Sequence, residues 1–315
     1  MTDARPRPSP PRPGDRVLVT GASGFLGRPV VHALREAGYD VVTVGRSPVT
    51  STSHRHVVAD LLNAHETRAV VRDADATHLV HLAWHVVHRD FWTSPLNDAW
   101  VDASTTLVRL FLAHRGRHVM AAGSCAEYAP AGSRILDEQA PVGPDTRYGR
   151  AKVEAHRRMR TVCDDAGALC TWGRIFVPYG PGDHPQRLVP SLIDVFRGRR
   201  PPFLIAPGDV RDFIHVHDIA SAVVFLLQHE AAGAVNVATG IPTTIAAVAD
   251  AVARACGVTP DAVMPPAQTS PLVEHGRTAH WLVGTPSTLT QLGWTPSIPV
   301  EAGLYSQVRA DERSC

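Results

Sequence analysis

Apolar residues in the first half of the chain fall into short unbroken runs, separated by stretches with helical spacing. Arg16–Thr20 reads Arg-Val-Leu-Val-Thr and ends at a glycine turn, as expected of a strand buried on both faces of a parallel sheet. Residues 29–37 carry apolar positions three and four apart and stop at Gly38, which predicts a helix. Runs at 40–44, 56–58, 78–82, 118–122 and 169–176 predict further strands. Helical patterns near 63–72, 97–114 and 148–166 separate them. This alternation predicts an α/β fold, a Rossmann-type doubly wound parallel sheet covered by helices on both faces.

The pattern changes after Phe176. Residues 178–210 are rich in Pro and Gly and hold one helix-like segment, 189–196. Core-like patterning returns at 213–216 and 219–228, and a strand begins at Val235. A helix is predicted over 243–256, and 258–300 is turn-rich. The expected organisation is a disordered Pro- and Arg-rich leader (1–15), a dinucleotide-binding unit (16–177 plus 212–237), and a smaller α/β substrate lobe (178–211 plus 238–310).

Composition narrows the function classes. Of 315 residues, 44% are hydrophobic, enough for a sizeable core. Lys plus Arg (31) nearly balance Asp plus Glu (30), and a net charge of +1 gives no electrostatic case for nucleic acid or an anionic membrane. No apolar run approaches the roughly 18 residues of a membrane helix, and the leader has no apolar core of a secretory signal. Neither nucleic acid nor membrane is an expected partner. The five cysteines show no C-x-x-C spacing, and the histidines are scattered. A reducing, cytoplasmic setting without a metal site is expected.

Candidate chemistry begins at the first glycine turn. Gly21, Gly24 and Gly27 lie between a strand and a helix, where glycine allows the backbone to approach a pyrophosphate at the helix N-terminus. Ser23, Phe25 and Leu26 belong to the same loop. The second strand ends in Gly45-Arg46-Ser47, with no carboxylate to bind a ribose hydroxyl. Arg46 suits a 2′-phosphate, so NADP(H) is favoured over NAD(H). Asp60, followed by Leu61, either accepts from the adenine amino group or caps a helix. Tyr148 and Lys152, four residues apart, share one helix face. An ammonium beside a phenol lowers the phenol's pKa, which would make Tyr148 a proton donor or acceptor near neutrality.

Together these motifs resemble the extended short-chain dehydrogenase/reductase superfamily, the NAD-dependent epimerase/dehydratase branch that acts on nucleotide sugars. The resemblance runs from about residue 16 to residue 305. Thr20-Gly-Ala-Ser-Gly-Phe-Leu-Gly27 matches its cofactor loop, and His81-Leu82-Ala83 its H-L-A after the fourth strand. Arg211-Asp-Phe-Ile-His-Val-His-Asp218 matches R-D-F/Y-I-H-V-x-D, and Leu292-Gly-Trp-Thr-Pro296 matches L-G-W-x-P. The resemblance implies a catalytic set of Ser124, Tyr148 and Lys152, with Leu82 and Ala83 lining the cofactor. It implies that Arg211 and Arg277 clamp the diphosphate of a nucleotide-sugar substrate. Ser124-Cys125 is similar to the S-C of GDP-fucose synthases, which makes Cys125 and His184 substrate-side candidates. A homodimer through two long helices is the family's arrangement.

Departures refine the implied activity. The family's 4,6-dehydratases carry T-D-E where this chain has Ser124, Cys125 and Ala126, so the acidic pair for elimination of water is missing. Glu127, one residue displaced, is read as structural. Val177 and Val101 stand where many members have asparagine. Trp84, Phe91 and Trp92 either line the sugar pocket or belong to the core. The expectation is an NADPH-dependent 4-ketoreductase of a nucleotide-activated 4-keto-6-deoxyhexose. The alternatives are an epimerase on the same scaffold and a silent dinucleotide-binding relative.

Overall fold

A computed structural model describes residues 11–12, 14–49, 54–130, 132, 134–259 and 280–313. The chain opens with β1 (Arg16–Thr20), α1 (Gly27–Glu36), β2 (Asp40–Gly45), β3 (Arg55–Val58), α2 (Ala64–Ala74), β4 (His78–His81), α3 (Leu96–His114) and β5 (His118–Ser124). A 3-10 turn, Cys125–Glu127, leads to β6 (Ile135–Leu136), α4 (Arg147–Asp165), β7 (Leu169–Ile175), β8 (Val177–Tyr179) and α5 (Leu188–Phe196). Then come β9 (Val210–Arg211), β10 (Phe213–His215), α6 (Val216–Gln228), β11 (Gly233–Val237), β12 (Thr243–Thr244), α7 (Ile245–Ala255), β13 (Trp281–Gly284), α8 (Ser287–Leu292) and α9 (Val300–Glu312).

Seven strands form one parallel sheet in the order β11-β7-β5-β4-β1-β2-β3. The apolar runs are continuous because both faces are covered. α1 and α6 pack on one face around Val19, Leu34 and Leu226. α2, α3 and α4 cover the other around Leu18, Phe111 and Met159. Strand order reverses between β1 and β4, and in such sheets ligands bind at the carboxyl ends of the strands beside that reversal. Register places Thr20 beside His81 and His81 beside Ala121. The glycine loop, the segment after β4 and Ser124 therefore leave the sheet at the same edge.

Of the remaining elements, α8 packs Leu289 into the core beside β11, and the others build a second layer over that edge. β8 pairs with β10, and a four-stranded sheet runs β12-β9-β13-β6. α5, α7 and α9 pack around Tyr179, Phe213 and Val248. β6 comes from the stretch expected to lie wholly in the dinucleotide-binding unit, yet it pairs with β13. β13 and α8 lie in the segment read as turn-rich. They are short pieces held by tertiary contacts such as buried Leu289, so periodicity does not reveal them.

Two carboxylates fasten this layer. Asp212 accepts from the Thr239 amide (2.9 Å) and hydroxyl (2.7 Å), the Gly240 amide (2.9 Å) and the Gly284 amide (3.3 Å). Asp218 accepts from the Ser297 amide (3.0 Å) and hydroxyl (2.8 Å) and the Ile298 amide (3.0 Å). Both are buried, and the multiple donors offset their desolvation. No helix among the described residues is long and apolar enough to cross a membrane.

Candidate active site

The loop between β1 and α1 is closed by its glycines. Gly21 has φ +67°, and a Cβ there would lie 2.8 Å from the Ala83 amide nitrogen. A Cβ on Gly27 would lie 2.1 Å from the Gly21 carbonyl oxygen. Thr20 secures the neighbouring strand end: its hydroxyl accepts from the Leu82 (3.2 Å) and Ala83 (3.1 Å) amides. α1 starts without a side-chain cap and without an acidic residue in its first turn. The Arg28 amide is taken by the Gly24 carbonyl (3.2 Å) and Pro29 has no N–H, so the positive dipole end of α1 and the amides of the loop before it are what suit the diphosphate of a dinucleotide. Ser23, Gly24, Phe25 and Leu26 form the rim of this cradle, and Arg28 donates back to the Ser23 carbonyl (3.0 Å).

Ser124, Tyr148 and Lys152 converge at the adjacent end of β5. α4 is capped by Thr146, whose hydroxyl accepts from the Gly149 amide (3.0 Å), so Tyr148 sits in the first turn and Lys152 one turn on. The Tyr148 amide donates to the Trp92 carbonyl (3.2 Å), which joins the helix to the loop after β4. Phe91 and Trp92 meet the Tyr148 ring edge-on at 5.0 and 5.6 Å. Ser124 lies close enough to the Tyr148 side chain to pull the phenol's pKa down.

The electrostatics differ from the simple expectation for such a pair. Burial pushes the Tyr148 phenol above its ordinary range, with Ser124 and Arg187 pulling the other way. The Lys152 amine donates to the Ala122 carbonyl (2.8 Å) and lies 3.7 Å from the centre of the Trp84 ring, with the Tyr148 ring centre 5.8 Å away. Burial brings the Lys152 amine down to about 7, with Glu127 opposing the shift. In this arrangement Tyr148 carries its proton at neutral pH and is set to donate it.

Glu127 has no exposure and lies in a polar network. It accepts from the Ser124 amide (2.7 Å), from Trp172 Nε1 and from Arg174 Nε (3.0 Å). Arg174 also donates to the Tyr128 hydroxyl (3.0 Å), which donates to Asn236 (2.7 Å). Glu127 thus holds Ser124 in place from behind.

The whole span from β1 to just past β11 matches one family description, "NAD dependent epimerase/dehydratase family", over residues 17–238. The chain belongs to that family. Its members of the extended short-chain dehydrogenase/reductase type are NAD(P)-dependent oxidoreductases, epimerases and dehydratases. A "3-diazoavenalumate denitrifying reductase" of Streptomyces sp is 30% identical over 299 residues, 90% of this chain and 97% of the relative. A "UDP-glucose 4-epimerase" of Azospirillum brasilense is 28% identical over 242 residues, 68% of each chain. Among solved structures, "MoeE5 in complex with UDP-glucose and NAD" superimposes with a TM-score of 0.81 at 26% identity, covering 96% of this chain and 99% of that one.

In this family member the other expected residues are placed as follows. Arg46 is exposed at the end of β2 and has no side-chain partner among the described residues. Asp60 accepts from the Leu62 amide (3.0 Å), but the cap of α2 is Asn63, and Leu61 is buried. Cys125 is buried directly after Ser124, and its proximity raises the Tyr148 phenol's pKa. His184 is exposed and stacks on His88 (5.6 Å) across the two loops flanking the cleft. Arg211 is buried in β9 and paired with Asp209 (2.7 Å). Arg277 lies outside the described residues. Among the described residues no group of three or more His, Cys, Asp or Glu is arranged to hold a metal ion.

One contributor escaped the sequence reading. Arg187 stands 6.0 Å from the Phe25 ring and acts on Tyr148, but its loop carries no periodic or motif signal. Trp84, left by the sequence between pocket lining and core, is buried with its ring 3.7 Å from the Lys152 amine.

Proposed function

We propose that the protein is an NADPH-dependent reductase of the 4-keto group of a nucleotide-activated 6-deoxyhexose. The observation that carries this reading is the placing of Ser124 at the end of β5 next to Tyr148, one helical turn before Lys152, with Cys125 and Ala126 where a dehydratase carries its acidic pair. A bound nicotinamide dinucleotide supplies the hydride. Ser124 donates a hydrogen bond to the substrate carbonyl and stabilises charge growing on its oxygen. Tyr148, held protonated by burial, gives that oxygen its proton. Lys152 supplies the cation next to the acid and the donors for a ribose. Exposed Arg46, with no carboxylate at the end of β2, supports NADPH. The presence of both Tyr148 and Lys152 speaks against a silent relative.

A second reading, sugar epimerisation, draws support from the Azospirillum relative and from MoeE5. In that reading Tyr148 would have to start as the phenolate, take the hydroxyl proton as hydride passes from the sugar to a bound nicotinamide, and give the proton back as the hydride returns, whereas burial favours the protonated phenol. One experiment separates the readings. The protein is mixed with NADPH or NAD and with NDP-4-keto-6-deoxy sugars, UDP-glucose and 3-diazoavenalumate, the compound in the Streptomyces relative's name. NADPH oxidation with the keto sugars is the expected result. An inverted sugar without net cofactor turnover would establish the epimerase, and consumption of 3-diazoavenalumate alone would replace both.

A further inference from the structure

Lys152 is the single lysine of the chain, which otherwise carries its positive charge on 30 arginines. A guanidinium does not titrate in a protein, whereas an amine does. Lys152 is therefore the one side-chain ammonium of the chain, and its ionisation can be followed without interference from another amine of the same kind.

The surroundings of that amine are unusual for a buried cation. One donor is used on the Ala122 carbonyl (2.8 Å), and the Trp84 ring lies 3.7 Å away. The Tyr148 and Trp172 rings are more distant, at 5.8 and 5.9 Å. Trp84 is itself fixed: its Nε1 donates to Asn97 Oδ1 (2.8 Å), and Asn97 donates onward to the Phe91 (2.7 Å) and Ser94 (3.0 Å) carbonyls.

The charged and titratable groups facing Lys152 offer no free counter-ion. Glu127, from the turn after β5, is engaged by Arg174, Trp172 and the Ser124 amide. His81, on β4, is buried between Thr20 and Ser104, and both burial and Lys152 keep it neutral. Tyr148, one turn back on α4, holds its proton. An indole face attracts an ammonium through its quadrupole without accepting a directional hydrogen bond, so two N–H donors stay available.

We propose that Trp84 is a positioning residue for Lys152, its indole face standing in for a carboxylate to keep the amine charged and aimed into the site. The inference rests on Lys152 belonging to the acid–base set, but its test needs neither cofactor nor substrate.

Protein grown on ε-13C-lysine gives one side-chain signal, whose shift against pH reports the ionisation of Lys152. At position 84 alone, tryptophan is exchanged for its mono-, di- and trifluorinated forms, which weaken the ring face while keeping its shape and N–H. The expected result is a midpoint that starts near the buried value of about 7 and falls with each fluorine. A total fall of about one pH unit matches a desolvated cation–π contact. Trp84→Leu should lower the midpoint at least as far; if that variant fails to fold, the fluorinated series decides alone. A midpoint unchanged across the series overturns the proposal, whatever reaction the enzyme performs. A stepwise fall in a protein that oxidises no NADPH upholds it and sinks only the reductase reading.

Discussion

Trp172 donates its indole N–H to both carboxylate oxygens of Glu127, at 2.9 and 3.0 Å. With Arg174 on the same carboxylate, this ties the end of β5 to β7 behind Ser124. Glu127→Ala would leave the Arg174 guanidinium buried without its partner. The expected loss is about 3–5 kcal/mol of stability, read from urea unfolding. Glu127→Gln should lose less and keep measurable turnover. A Gln variant as stable as the parent but inactive would instead put Glu127 into the chemistry.

Gly27→Ala tests the cradle. Its Cβ would meet the Gly21 carbonyl at 2.1 Å and Ala22 Cα at 2.6 Å, and both are backbone atoms that cannot swing aside. The loop has to open, which abolishes dinucleotide binding measured by nicotinamide fluorescence. Overpacking of this kind costs about 1–3 kcal/mol, so the variant should still fold. Binding within a factor of about two of the parent, less than 0.5 kcal/mol, would remove the loop from the cofactor site.

Arg46→Ala should weaken NADPH binding by about tenfold to a hundredfold and leave NADH nearly untouched, as expected for a lost charge-assisted contact. The ratio of the two dissociation constants is the measurement. An unchanged ratio would show that the 2′-position is read elsewhere.

Tyr148→Phe should cut turnover by roughly 10²–10⁴ while leaving the cofactor dissociation constant close to that of the parent. Retained turnover would deny the phenol its role as proton donor.

Acid should destabilise the protein through three buried histidines. Burial lowers His78 to about 4 and His81 and His118 to about 3. Their folded values lie below the unfolded one near 6.5, so the unfolded chain binds the protons more readily. Stability is therefore complete above about pH 6.5 and declines as pH falls toward 4, by up to about 1.4 kcal/mol per histidine per unit. His118→Gln, able to keep a bond to Thr171, should flatten the decline between pH 6.5 and 4 in urea titrations. A slope identical to that of the parent would exclude His118 as a contributor.

The sheet was readable because its strands are buried on both faces and so appear as unbroken apolar runs. Val17-Leu18-Val19 and Val41-Val42 could hardly be anything else. The layer above the sheet was not readable in the same way. β9 and β12 are two residues each and exist only through their partners, and β13 is defined by pairing with β6 and β9. The site was legible where spacing carries the geometry, as in Tyr148 and Lys152 one turn apart. It was not legible where geometry comes from the fold: nothing in sequence order brings Trp84 to Lys152, or Arg187 to Phe25. The expected lowering of the Tyr148 phenol failed for the same reason, since spacing says nothing of how deeply the ring is buried.

Asp212 and Asp218 grip the loops around them mainly through main-chain N–H groups, with the Thr239 and Ser297 hydroxyls adding two further bonds. Every residue except proline offers the main-chain handle, so the clasp depends on the grasped side chains only at Thr239 and Ser297. Such a joint tolerates turnover of the loops around it: a lineage can rewrite the loop surface while the sheet edge below stays as it is. A scaffold fastened in this way is suited to acquiring new substrates by local sequence drift, and loop grafts between relatives should be accepted wherever these two acidic anchors are kept.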